Sequence, residues 1–452
     1  MRTDKALFES LRLTRRAALQ GVGGLLGAAW LSSSDALAFG APASDGDPLS
    51  GQSLYRDVVR YTALGGHRTG SAVDMKTSEW LRDELKKAGF EAEYLPCAPR
   101  RIFDLKKCTV EVGGVTYPGD PEWFPTATGP KPIKAPLALL AEGAPLESLK
   151  GKVWLLEDAK GGLALDNALK EKVIQAGKAG ALAAVVAINT ASGELLGRSA
   201  PPERNEAPWC PIPLVGVAYK HKAALFAAAQ KGTEAAVIVD GEDKAGVRPR
   251  NAMGRIGSGK DLIVVTTPIS ALTQAGGERG PGVALWLGLA HWLGKRQPKC
   301  RYLFSGNTGH ETRGTGAYAL LDMLPPPKEI KAWLHLGATI ANWNITAPGQ
   351  TAMLDRAAVL RRGGTPSFAA APELVPLLEK AFANLPDLKP RTDNLAGELA
   401  EYLRRGYRAY GFFGASKVFH TWGDDDKQSG PELLEPVGRA LARSLELIEE
   451  MA

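Results

Sequence analysis

The sequence predicts an α/β protein, a mixed and mostly parallel sheet with helices on both faces, carrying a small inserted α/β domain. Two observations carry this. From Leu262 onward, short apolar runs alternate with helical patterns, the signature of strand–helix units that bury a parallel sheet between two helical layers. From Ala138 to Gly246 the same alternation recurs at smaller scale behind a Pro-rich passage, Pro118 to Pro136, which marks a boundary. The expected domains are an α/β body at 48–134 and 247–452, an insert at 135–246, and a leader at 1–38.

The leader is read first. A basic stretch containing Thr14-Arg15-Arg16 precedes an uncharged Gly- and Ala-rich run from Ala17 to Leu31, and Ala36-Leu37-Ala38 offers small residues for cleavage. This is the twin-arginine (Tat) export pattern, and the apolar run is too short to span a bilayer. The expected mature protein is periplasmic or secreted, without a membrane span, after passage through the Tat translocase.

Leu54 to Gly89 reads as helix broken at Gly65-Gly66-His67-Arg68-Thr69-Gly70-Ser71, with Gly89 as the stop. Residues 91–118 alternate like a pair of strands. In the insert, Gly151 to Leu156 is a buried strand, Asp166 to Gly177 a capped helix, Ala181 to Ala187 a second strand and Ile212 to Val217 a third. The body then continues with a strand at Leu262–Thr267, a helix at Gly282–Leu293, a strand at Tyr302–Phe304, a helix at Gly314–Met323 and a strand at Ala332–Leu336. Helices at Pro372–Asn384 and about Glu398–Arg405, a strand at Ala409–Phe413 and a closing helix at Pro431–Glu450 complete it.

Charge narrows the function classes. The leader holds five basic and three acidic residues, so its removal lowers the net charge from +6 to +4. With no dense Lys/Arg block, this argues against a nucleic-acid partner. The four cysteines, Cys97, Cys108, Cys210 and Cys300, fit no zinc-finger or redox spacing. In an oxidising compartment Cys97 and Cys108 could bridge two sides of a loop. Gly254 to Lys260 approaches a phosphate-binding loop, but Asp261 stands where Ser or Thr is needed and a strand follows instead of a helix. No Gly-x-Ser-x-Gly elbow is present.

The order of certain pieces resembles a known family. Arg68-Thr69-Gly70-Ser71 precedes a helix and Gly89-Phe90. An insert follows, then a buried strand, then a Gly282-Val283 helix start, and finally His420-Thr421 after a strand with an acidic residue close behind. This order is similar to that of the co-catalytic zinc aminopeptidases related to bacterial leucyl aminopeptidase, glutaminyl cyclase and glutamate carboxypeptidase. The insert's order of strands and helix looks like a protease-associated domain, a lid or substrate-recognition module. The resemblance implies five ligand positions for two zinc ions, since each ion needs carboxylate or imidazole ligands and the pair needs a bridging carboxylate.

Most of those positions are replaced. The family's His-x-Asp reads Pro268-Ile269-Ser270. The bridging Asp falls on or near Glu278. The Glu-Glu pair falls on Thr308-Gly309, followed by His310-Glu311, and the next Asp falls about at Gly337, just after His335. Only the last ligand, His420, is retained, so a di-zinc centre is not expected. The same cleft instead gains Glu278, Arg279, His310, Glu311, His335 and His420, with Glu398 at a position where the family places a polar pocket residue. His310 and Glu311 are expected to replace the lost acid/base pair, with His420 and Glu398 beside them, because imidazole exchanges protons near neutrality and a carboxylate fixes its tautomer. Glu278, Arg279 and His335 are expected to bind substrate. Arg279 would either grip a substrate carboxylate or form an ion pair with Glu278. One zinc on His310, His335 and His420 is the alternative. His67, His221 and His291 read as structural.

The expected function is an exported hydrolase of aminopeptidase descent acting on a peptide or small amide through a rebuilt, non-di-zinc site. The alternative is a non-catalytic binding or scaffold protein that keeps the cleft, and an orthodox di-zinc aminopeptidase is least expected.

Overall fold

The computed structural model describes residues 46–162, 164–198, 207–343, 367–393 and 396–451. The expected leader lies outside them. Among the described residues, no helix is long and apolar enough to cross a membrane.

The described residues form one compact unit built on two seven-stranded sheets, one open and one closed. The open sheet has the order β1-β9-β11-β10-β12-β14-β13, from β1 (Glu91–Pro96), β9 (Arg250–Ile256), β10 (Leu262–Pro268), β11 (Arg301–Asn307), β12 (Ile330–Leu336), β13 (Ser367–Ala370) and β14 (Ala409–Phe413). Its centre is parallel, β11 and β12 flanking β10 and β14 pairing β12, while β1, β9 and β13 run antiparallel at the edges. Side chains alternate between two cores, as strand geometry requires. Ile263, Val265, Phe304 and Leu334 face a core with α1 (Gly51–Ala63), α2 (Ala72–Lys87), α5 (Gly280–Gly294), α7 (Val375–Ala381) and α9 (Pro431–Glu449). Val264, Leu303 and Trp333 face the other core, with α6 (Thr315–Met323) and α8 (Gly397–Arg404). The expected fold class holds.

Helix α5 is apolar all round and buried, as a helix between a sheet and an outer helical layer must be. Gly282 lets it lie against the sheet: a Cβ there would stand 2.9 Å from the Leu336 carbonyl oxygen and 3.0 Å from Thr267 Oγ1. Helix α2 starts where Ser71 accepts from the Asp74 amide, and Gly89, at φ +85°, follows its end.

The second sheet closes into a barrel, β2-β3-β7-β6-β5-β4-β8, formed by β2 (Arg100–Val112), β3 (Val115–Pro121), β4 (Ile133–Ala138), β5 (Val153–Asp158), β6 (Ala183–Ile188), β7 (Leu214–Ala218) and β8 (Glu234–Val247). Helices α3 (Asn167–Lys178) and α4 (Lys222–Gln230) complete this module. Residues 91–118 are therefore not one strand pair: β1 joins the open sheet while β2 and β3 enter the barrel, ahead of the boundary expected at residue 135. Alternation predicts a strand but not which sheet it pairs with.

All four cysteines are free and buried. The bridge considered for Cys97 and Cys108 is not formed, because Cys108 points into the barrel core while Cys97 lies 3.8 Å from Asn251 Oδ1 outside it. The segment expected as one helix at 372–384 is a single 3₁₀ turn, Pro372–Leu374, followed by the short α7.

Candidate active site

The carboxyl ends of β10, β11, β12 and β14, with the first turn of α8, bring the expected residues together, as open α/β sheets place their sites. They form two neighbouring groups with different exposure.

The first group is sealed. Arg279 precedes α5 and is only 1% exposed. Its Nη2 donates to Glu311 Oε1 at 2.8 Å and lies 2.9 Å from Glu278 Oε1, and its Nε donates to the Ser270 carbonyl at 3.2 Å. His420 Nε2 lies 3.1 Å from the same Glu278 oxygen. Burial works against every charge in this cluster, but the charges compensate one another. Arg279 and His420 hold Glu278 low, the two carboxylates keep Arg279 raised, and the Glu278 and Glu311 carboxylates raise His420. Glu278 Oε2 and His420 Nδ1 are buried without a hydrogen-bond partner among the described residues.

Backbone geometry holds this cluster in place. Asp424 Oδ1 and Oδ2 accept from the Gly277 and Glu278 amides at 2.8 and 3.0 Å, clamping the turn before Glu278. Burial, with Glu278's negative charge, pushes the Asp424 carboxyl up to about 8. His420 adopts φ +59°, a left-handed conformation uncommon for a residue with a side chain. The barrel fixes it there: the Gly197 amide donates to the His420 carbonyl and the Trp422 amide to the Leu195 carbonyl, each at 2.8 Å.

The second group is open. His310, on the 3₁₀ turn after β11, has its side chain 26% exposed, whereas its partner Glu398 is 7% exposed. Nδ1 lies 2.9 Å from Glu398 Oε1, and the other carboxylate oxygen accepts from the Tyr402 hydroxyl at 3.2 Å. Although burial opposes ionisation of Glu398, the His310 bond and charge lower it to about 2. The carboxylate is therefore ionised at neutral pH and accepts the hydrogen on Nδ1, so Nε2 is the ring nitrogen that Glu398 does not engage. The ring lines a cleft of about 230 Å³ with Arg313, Tyr318, Glu398, Tyr402 and Arg404. Arg404 and Arg405 pair with Glu401, whereas Arg313 stands exposed at the cleft. The two groups touch through Ser270, whose hydroxyl accepts from the His310 amide at 3.1 Å.

No protein-family model matches the chain and no curated protein matches it. Solved structures do. A zinc aminopeptidase from Bacillus subtilis matches with a TM-score of 0.61 and 16% identity, over 88% of this chain and 95% of that one. A peptidase precursor from Shewanella amazonensis matches with a TM-score of 0.61 and 13% identity, over 88% and 92%. An aminopeptidase from Aneurinibacillus matches with a TM-score of 0.51 and 16% identity, over 88% and 93%. The fold is that of the zinc aminopeptidases.

A zinc-aminopeptidase fold implies a metal pair, and the residues here do not fit one. Pro268 offers no donor, the Ser270 hydroxyl is engaged by the His310 amide, and Gly337 has no side chain. His310, His335 and His420 do not form the ligand set considered for a single zinc either. Among the described residues, the ring nitrogens of these three do not all come within 4.8 Å of one another, Nδ1 of His335 bonding Thr266 Oγ1 at 3.0 Å and Nδ1 of His310 bonding Glu398. Among the described residues, the three donor atoms within 4.8 Å of one another come from Glu278, Glu311 and His420. There the Arg279 guanidinium already contacts both carboxylates.

Every expected site residue thus lies at the sheet's carboxyl ends, but the pairings differ from expectation. His310 is partnered by Glu398 and not by its neighbour Glu311, because adjacent residues on a tight turn point apart. Arg279 is buried with Nη2 on both carboxylates and Nε on the Ser270 carbonyl, so the ion-pair reading applies. His335 is 2% exposed, burial holds its imidazole down to about 4, and it supports Thr266 instead of meeting substrate. Tyr402, Asp424 and Arg313 were not anticipated. Tyr402 left a signal, since it follows Glu398 by four residues on a helix and so shares its face, and Asp424 left one as part of the acidic run close behind His420-Thr421.

Proposed function

We propose that the chain is an exported hydrolase of aminopeptidase descent, in which His310 is the general base for water attack on a small peptide, amide or ester and no di-metal centre takes part. The observation that carries this reading is the His310–Glu398 pair: a half-buried imidazole, oriented by a buried ionised carboxylate, at the wall of a cleft.

His310 Nε2 takes a proton from water as the water attacks the carbonyl. Glu398 stabilises the imidazolium, with Tyr402 keeping the carboxylate in place. The same imidazolium then returns the proton to the leaving amine or alcohol. Arg313, exposed at the cleft, meets an anionic part of the substrate such as a terminal carboxylate. The leader motif supports action outside the cytoplasm, and the barrel fits the role of a recognition module beside the cleft.

The test is turnover of a panel of dipeptides, aminoacyl amides and aminoacyl esters by the purified chain, before and after chelation. Turnover should survive chelation and fall by about 10²–10⁴-fold in His310→Ala, the usual range for a positioned proton-transfer group. Loss on chelation with recovery on adding zinc would overturn the reading. Ligand binding without any turnover would favour the binding-protein alternative.

A further inference from the structure

One nitrogen of Arg279 stands within 3 Å of two different carboxylates: Nη2 is 2.9 Å from Glu278 Oε1 and 2.8 Å from Glu311 Oε1. That is the position of a cation bridging two anions. Around the same point the donors of Glu278, Glu311 and His420 lie within 4.8 Å of one another. Glu278 and His420 each retain a buried atom with no hydrogen-bond partner among the described residues. The set therefore has the composition and unused capacity of a single-ion site, with a guanidinium inside it. Nε is fastened to the Ser270 carbonyl at 3.2 Å, so the charge is fixed and does not swing away.

We propose that Arg279 is a built-in substitute for a metal ion. It neutralises Glu278 and Glu311, excludes a divalent cation from them, and on replacement by a neutral residue uncovers a one-ion site for Zn²⁺ on Glu278, Glu311 and His420. Two carboxylates and an imidazole suit zinc, which takes three protein ligands in tetrahedral sites that keep a fourth position open. The resident positive charge forbids it, because two cations a few ångströms apart in a buried site repel strongly. This inference is independent of whether the chain turns over a substrate.

The experiment is zinc titration by calorimetry with parallel thermal melts. The wild-type chain should take up no stoichiometric zinc. Arg279→Gln should bind one zinc per chain, tighter than wild type by up to about 10⁶-fold, roughly what one positive charge ~4 Å from a doubly charged ion is worth at an effective dielectric of about 20. Zinc should also raise its melting temperature. Arg279→Lys keeps the charge and should remain folded without gaining zinc, and a second change, Glu311→Gln in the Arg279→Gln background, should abolish the gain. One zinc bound equally by the wild type would overturn the proposal, as would a folded Arg279→Gln chain that binds none or a gain in Arg279→Lys. Failure of Arg279→Gln to fold even with zinc would also overturn it, since the ion should restore the charge balance.

Discussion

At the scale of single residues, the two candidate groups separate by what their charges face. Glu278, Arg279, Glu311 and His420 face one another in a dry cluster, whereas His310 faces the cleft and borrows only its orientation from Glu398. The Glu398 carboxyl is depressed from 4.5 to about 2. Its contribution to stability is therefore present above its unfolded value and lost as pH falls through the folded one. In acid melts between about pH 5 and 3, Glu398→Gln should lose less melting temperature than the wild type, because its amide has no proton to take up. An equal slope in both chains would mean that the buried pair does not carry this dependence. Arg313→Ala should raise KM for carboxylate-bearing substrates while leaving kcat within about a factor of three, as expected when a contact binds ground and transition states alike. That split is read from initial rates on paired acid and amide substrates.

At the scale of elements, α5 positions the sealed group. Arg279 immediately precedes it, and the helix can approach β10 and β12 only because Gly282 carries no side chain. Further along, Gly288 meets Leu54 of α1: a Cβ there would stand 2.5 Å from Leu54 Cδ2 and 3.0 Å from the Pro48 carbonyl oxygen. Gly288→Ala should therefore cost about 1–3 kcal/mol by overpacking, although alanine favours helix at an unconstrained position. Denaturant midpoints measure this, and a stabilised variant would show that the helices separate more readily than the close approach implies. Gly282→Ala is the more severe change for the site, because the obstructing atoms, the Leu336 and Gly337 carbonyl oxygens and Thr267 Oγ1, lie at the carboxyl ends of β10 and β12 beside it.

At the scale of the whole molecule, the barrel and the open sheet meet at the loop that carries His420. Asp120, at the end of β3, accepts from Trp422 Nε1 at 2.9 Å and pairs with Arg68, which precedes α2. The Leu195–Gly197 loop segment, bridged to Thr421 at Leu196, holds the backbone on either side of Thr421. The left-handed conformation of His420 is thus held by both modules. Asp120→Asn should destabilise the chain by about 3–5 kcal/mol, the cost of removing one partner from a buried ion pair. It should also speed hydrogen exchange at residues 420–424, observable by mass spectrometry. Loss of stability without faster exchange there would mean that the barrel is not what restrains this loop.

Much of this architecture was legible in the residues. Alternating apolar runs and helical periods are local, so they predicted the β10–α5–β11 and β12–β14 parts of the sheet, and the carboxyl-end position of the site followed from that order. That Pro268 and Gly337 offer no side-chain ligand atom was legible too, because it holds wherever those residues lie. What the sequence could not specify was partnership. His310 joins Glu398, Arg279 joins Glu311, and β2 and β3 join the barrel through contacts that are distant along the chain. Hydrogen bonds and ion pairs form where packing brings donors within about 3 Å, and no local pattern encodes that distance. Side-chain chemistry alone therefore established which groups were available, while tertiary packing decided that one arginine is enclosed as a counter-charge and one histidine is left open to the cleft.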